Sequence, residues 1–193
     1  MMQTHPFILA SASPRRLALL AQIGITPARV EPADIDEAPF KDELPTHYAV
    51  RMAKQKAAAC ALRFPNETIL AADTVVYLGR RILPKAEDEA AARKCLAKLS
   101  GRRHRVITAV AIARGENIKI KSVITSVRFK RLSAKEIEFY IASGEWQGKA
   151  GGYAIQVFAS TFIPAINGSY SNVVGLPLAE TKTLLESFGI TTE

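Results

Sequence analysis

Short apolar runs alternate with segments of helical spacing along the whole chain. Phe7 to Ala10 is an apolar run leading into Ser11-Ala12-Ser13-Pro14-Arg15-Arg16, after which Leu17, Leu20, Ala21 and Gly24 follow a helical spacing. A strand feeding a helix is predicted, with Ser13 as N-cap, Pro14 at the first helical position where its missing N–H costs nothing, and Gly24 as terminator. Glu31 to Pro45 is acidic and punctuated by proline, so it reads as a surface loop before a helix from about Thr46 to Leu62. Ile69 to Leu78 has the β-branched character of a buried strand, interrupted by Asp73 and Thr74. Gly79-Arg80-Arg81 turns the chain, and Ile82-Leu83 returns as a short partner strand.

From Glu87 to Leu99 the acids come first and the lysines last, as the helix dipole favours, and Ser100-Gly101 ends the helix. Val106 to Ala113 and Ile118 to Phe129 form a long hairpin around Gly115-Glu116-Asn117, alternating most clearly in the second arm. Ser133 and Glu136 make a capping box for a helix ending near Ser143. The glycine-rich segment from Trp146 to Tyr153 is then a loop, followed by a predicted strand around Ala154 to Phe158. Asn167-Gly168 signals a tight turn, and Pro177 opens a last helix closed by Gly189. Strands and helices interleave through both halves, which specifies an α/β fold with a mixed sheet flanked by helices.

At 193 residues and 48% hydrophobic, the chain is long and apolar enough to bury a core, and one domain spanning 1–193 is expected. No run approaches the roughly 20 apolar residues of a membrane helix, and MMQTHPFILA lacks a basic leader, so a cytoplasmic location without membrane partners is expected. Cys60 and Cys95 form no CxxC and read as small core residues. The 26 Lys and Arg against 18 Asp and Glu give a net charge of +8, which invites an anionic partner.

Familiar motifs are absent. Gly144 to Ala150 has three residues between its glycines where a P-loop has four, and Ala150 replaces the magnesium-binding hydroxyl. His5, His47 and His104 lack metal-ligand spacing and read as surface or capping residues. Two arginines, Arg15 and Arg16, in the first turn of a helix are unfavourable unless an anion reverses the sign, so they mark a candidate phosphate site. The competing assignment has them in solvent or paired with Asp34, Asp36 and Glu37. Asp73, a carboxylate in an apolar strand, needs a partner and is expected at a strand end facing a cleft, as a candidate base, with a turn cap as the alternative. Lys56 and Lys85 are placed to bring positive charge to the same cleft, although spacing alone favours solvated surface for both.

The ordered segments SASPRR, DIDE, RMAKQKA, AADTVV, the Lys85 segment, KLSG, KAGGYAIQ and INGSYSNVVGLPLAET resemble the Maf family of nucleoside triphosphate pyrophosphatases, over residues 11 to 181. The resemblance implies a Maf/ITPase-like fold with two lobes around a nucleotide-binding cleft, and hydrolysis of a nucleoside triphosphate to the monophosphate and pyrophosphate with a divalent cation, Mg²⁺ or Mn²⁺. It puts Asp73 at the proton-acceptor position, Arg15, Arg16, Lys56 and Lys85 at phosphate-binding positions, and Glu37 at an acidic position linked to metal or catalysis. Arg16, Thr74 and Gln156 fall where the family sets substrate choice, and KAGGYAIQ resembles the branch acting on dTTP and UTP, with modified pyrimidine nucleotides as further substrates. The Gln156 amide both donates and accepts, which suits the O4 and N3–H edge of uracil or thymine. One departure is Leu83-Pro84-Lys85-Ala86, where the family commonly places proline after the lysine.

The competing class is a basic regulatory or nucleic-acid-binding protein, since the family is associated with inhibition of septum formation and Arg102-Arg103-His104-Arg105 could track a phosphate backbone. That run is expected in a turn without interleaved aromatics, which makes nucleic acid the weaker partner. A homodimer through apolar positions on the second hairpin arm is the protein partner the pattern suggests, an unburied core face being indistinguishable in sequence.

Overall fold

A computed structural model describes residues 5–191. Its centre is a seven-stranded mixed sheet. Strand β1 (Phe7–Leu9) leads into helix α1 (Pro14–Gln22), then β2 (Arg29–Val30), α2 (Pro45–Arg63) and β3 (Thr68–Leu78). Both β2 and β3 run parallel to β1, one on each side of it. The first crossover runs from β1 out to β2 and the second returns past β1 to β3, and their helices cover opposite faces. Leu19 and Leu20 of α1 join one buried cluster, whereas Tyr48, Ala49, Met52 and Ala53 of α2 join the other. Such a reversal opens a crevice beyond the carboxyl end of the central strand, the usual ligand position in open α/β sheets.

The remaining elements complete the sheet and its covering layer. Strand β4 (Arg81–Leu83) folds back on β3, α3 (Glu89–Leu99) follows, and the hairpin β5 (Arg103–Arg114) and β6 (Asn117–Arg128) extends the sheet. Helix α4 (Ala134–Ser143) has the predicted capping box between Ser133 and Glu136 and ends at Gly144. Strand β7 (Ala165–Asn167) pairs antiparallel with the end of β6, and the chain turns at Gly168 into α5 (Tyr170–Val174) and α6 (Leu178–Glu186). Cys60 and Cys95 are free and buried, as expected. No described helix is long and apolar enough to cross a membrane.

Several local expectations need correction. Ser13 takes the N-cap position of α1 without a side-chain capping bond, and α3 starts at Glu89 with Asp88 as its cap. The strand expected at 154–158 is absent, and a 3-10 helix covers Phe158–Phe162. Tyr153, Ala154 and Ile155 are all buried in succession, which a sheet-edge strand with one wet face would not allow, and β7 already occupies the edge of β6. On β6, Ile118 and Ile120 are half-buried against the α2-side core, and Ile124 stays 47% exposed.

The basic run is likewise not a turn. Arg103 to Arg105 open strand β5, so their side chains alternate, with both arginines exposed and His104 buried against Tyr153 Oη at 2.7 Å. Burial pushes the His104 imidazole down from its usual 6.5 to about 4. Because the unfolded chain binds a proton at higher pH than the folded one, this histidine supports the fold above about pH 6.5 and loses that support as pH falls toward 4, by up to about 1.4 kcal/mol per pH unit. Denaturant titrations at pH 7 and pH 5 are expected to show a stability loss in the wild type that His104→Gln lacks.

Candidate active site

Asp73 lies in the middle of β3, not at a strand end, and it is reachable because the sheet is interrupted beside it. On one edge β3 pairs with β5 from Ile69 to Tyr77. On the other edge it pairs with β1 only through Thr68, Ile69 and Leu70, and with β4 only through Val76, Tyr77 and Leu78. Residues 71–75 therefore face an open notch, where the chain leaves β1 for the first turn of α1. Side chains alternate along a strand, so Asp73 is directed to the α2 side with Ala71 and Val75, and Thr74 to the opposite side with Ala72 and Val76. Both line one cleft of about 430 Å³.

On the α2 side, the Lys56 ammonium lies 2.6 Å from Asp73 Oδ1 and 2.8 Å from Glu37 Oε1. Lys85 meets Glu37 Oε2 at 2.9 Å. Burial alone would raise the Glu37 carboxyl, but the hydrogen bonds from Lys56 and Lys85 prevail and hold it at about 2. The acidic loop carrying Glu37 is tied to α2 by Tyr48 Oη, which donates to Glu37 O at 2.7 Å. The shifted proline does not displace Lys85. Pro84 O accepts from Gly151 N at 3.0 Å, Ala86 N donates to Lys149 O at 3.1 Å, and Lys85 is bridged to Ala150. Gly151 is needed for this seam, because a Cβ there would sit 2.7 Å from Val76 Cγ1.

On the other side, Arg16 is clamped by the protein. Its Nε donates to Gly175 O at 2.9 Å, Nη1 to Ser11 Oγ at 2.8 Å and Nη2 to Thr74 Oγ1 at 3.1 Å. Gly175, with φ 131°, leaves room there that a side chain would fill, its Cβ falling 3.5 Å from Thr74 Oγ1. Arg15 differs, since its buried Nε has no partner among the described residues. Desolvation lowers both guanidinium groups from 12.5, yet arginine stays charged at neutral pH. Neither arginine pairs with Asp34, Asp36 or Glu37. The Gln156 side chain lines the cleft and forms no hydrogen bond with the described residues, so it does not brace its loop.

Arg15, Arg16, Glu37, Lys56, Asp73, Thr74, Lys85 and Gln156 thus all reach one cleft from residues far apart in sequence. Ser11 and Lys149 belong to it as well, although neither had been singled out. Burial lowers Lys149 from its usual value, and the neighbouring Arg15 adds to the effect. Five cationic side chains against two carboxylates suit a polyanion. Among the described residues no group of three His, Cys, Asp or Glu side chains is gathered. Two carboxylates beside a phosphate cradle nevertheless fit a hard cation such as Mg²⁺, which takes one or two protein carboxylates and completes its shell with phosphate oxygens and water.

The family described as Maf-like protein matches residues 6–188. A dTTP/UTP pyrophosphatase of Paramagnetospirillum magneticum is 60% identical over 183 residues, covering 94% of this chain and 96% of that protein. One from Zymomonas mobilis is 61% identical over 185 residues, covering 94% and 91%. Among solved structures, a HAM1 protein from Coxiella burnetii aligns with a TM-score of 0.50 at 16% identity, over 95% of this chain and 99% of that one. That last likeness concerns the fold alone.

Proposed function

The chain belongs to the Maf-like protein family, and from that premise we propose that it hydrolyses dTTP and UTP, and modified pyrimidine triphosphates of the same shape, to the monophosphate and pyrophosphate. The observation that carries this reading is Asp73 in the open notch of β3, paired with Lys56 in a cleft that Arg15, Arg16, Lys85 and Lys149 also line. In the proposed reaction a water oxygen attacks the α-phosphorus, Asp73 takes the water proton, and the bond from the α-phosphorus to the bridging oxygen breaks as pyrophosphate leaves. Phosphoryl transfer is driven mostly by positioning and charge stabilisation, which the five cations provide. Arg15 has unused donors for a phosphate, and Lys56 and Lys85 exchange Glu37 for phosphate oxygens. A divalent cation, held by Glu37 together with the triphosphate, would supply further neutralisation of its charge. No feature of the fold or of the relatives supports the regulatory or nucleic-acid-binding alternative.

Pyrophosphate release from a panel of canonical and modified nucleoside triphosphates, with Mg²⁺ or Mn²⁺, tests the proposal. Turnover concentrated on dTTP and UTP supports it, and turnover confined to purines overturns the choice of base. In the same panel Gln156→Glu is expected to lower the UTP-over-CTP ratio of kcat/KM by about tenfold or more. A carboxylate repels the uracil O4 and accepts instead from the cytosine amino group. An unchanged ratio would remove Gln156 from base selection.

A further inference from the structure

A buried polar chain runs from the cleft wall into the sheet. Thr74 Oγ1 lies 2.9 Å from Thr108 Oγ1, its partner across β3 and β5. Thr108 Oγ1 donates to Asn172 O at 2.9 Å, and its backbone N–H donates to Asn172 Oδ1 at 3.0 Å. Asn172 Nδ2 donates to Val106 O at 3.1 Å and to Thr125 Oγ1 at 2.9 Å, so its amide acts as a piece of strand against β5. Thr108 and Asn172 are both fully buried.

A hydroxyl carries one proton, and this fixes the direction of the chain. The Thr108 proton goes to Asn172 O, so the proton between Thr74 and Thr108 belongs to Thr74. Thr74 then has no proton for Gly175 O, which stands 3.4 Å away, and accepts from Arg16 Nη2. The hydroxyl donations therefore run one way, from Arg16 through Thr74 and Thr108 to Asn172 O. The guanidinium has five N–H groups, of which three are held by Gly175 O, Ser11 Oγ and Thr74 Oγ1. One N–H remains on each terminal nitrogen, at the wall of the cleft.

We infer that Thr108, anchored by Asn172, is a positioning residue for substrate selection, acting through Thr74 on the direction in which Arg16 presents those two N–H groups. The inference rests on the nucleoside triphosphate reading above. Without the Thr108 hydroxyl, Thr74 loses the acceptor that fixes its rotor and is released to turn toward Gly175 O, which moves the lone pair holding Arg16 Nη2 and turns the fork. Asp73 points to the opposite face of β3 and keeps Lys56 and Glu37. The effect should therefore fall on KM and selectivity more than on kcat.

Thr108→Val keeps the shape and removes the hydroxyl, and Thr108→Ser keeps the hydroxyl. Steady-state kinetics over the nucleotide panel, with circular dichroism to confirm folding, is expected to give Thr108→Val a KM for the preferred nucleotide about tenfold higher. Its discrimination should be at least about fivefold lower and its kcat within about threefold, while Thr108→Ser stays near wild type. A folded Thr108→Val with wild-type KM and discrimination overturns the inference, as does a Thr108→Ser that behaves like the valine variant. The wild type in the same panel separates the two readings. If it prefers a base other than uracil or thymine, the pyrimidine reading fails, and Thr108 is judged by the same loss and rescue on the base that is preferred.

Discussion

Asp73→Asn is expected to lower kcat for pyrophosphate release by ~10³-fold, with KM no higher than that of the wild type. The amide is nearly isosteric and keeps an oxygen toward Lys56, but it cannot take a proton from water at neutral pH. Lys56 is not orphaned by the change, because Glu37 Oε1 remains 2.8 Å from its ammonium. The fold should therefore survive, at a cost of about 1–2 kcal/mol. Removing a negative charge from a cleft with five cations can only favour a triphosphate, which is why KM should hold or fall. Steady-state kinetics beside thermal denaturation checks both parts. A folded variant that turns over at a wild-type rate would end the assignment of Asp73 as base, whereas a loss confined to KM would make it a binding residue only.

What could be read from sequence followed from strong local physics. An apolar strand with one carboxylate, a helix opened by Pro14 and two arginines, and a capping box at Ser133 each carry their own reason, and the structure contains all three. The notch that exposes Asp73 could not be read this way. It depends on β1 and β4 each covering only three residues of β3, a matter of register between segments far apart in sequence. Asp73 was thus expected at a strand end, the simplest place for a wet carboxylate. The missing strand at 154–158 failed for a related reason, since a β-rich composition does not say whether a sheet edge is free. Thr108 gave no signal at all, being one hydroxyl in a β-branched run, and Asn172 was visible only as part of a longer motif. Lys149 likewise carries no signal within its glycine-rich loop, because only the folded loop brings it beside Arg15.

Lys56 tests how the site's charges hold the structure together. Its side chain is 10% exposed and that of Asp73 9%, so this is a buried pair, extended by Glu37 at its rim. Lys56→Met removes the ammonium that lies 2.6 Å from Asp73 and leaves two carboxylates facing each other. Breaking such a pair from one side is expected to cost about 3–5 kcal/mol, because the remaining charge is buried without compensation. Turnover should fall by ~10²-fold or more, since the proposed phosphate contact and the partner of the proposed base are lost together. The Glu37 carboxyl, now at about 2, would rise toward its usual 4.5 once the hydrogen bond from Lys56 is gone. The stabilisation that Glu37 gains from Lys56 is complete above about pH 4.5 and is lost as pH falls toward 2, so the stability gap between wild type and variant should narrow over that window. The double variant Lys56→Met with Asp73→Asn separates the two roles. Neutralising Asp73 removes the stranded charge, so most of the lost stability should return, with a coupling of about 2 kcal/mol or more in the double-mutant cycle, while activity stays absent. Additive stability losses would mean that the 2.6 Å contact contributes nothing to the fold, and Lys56 would then be a phosphate ligand alone.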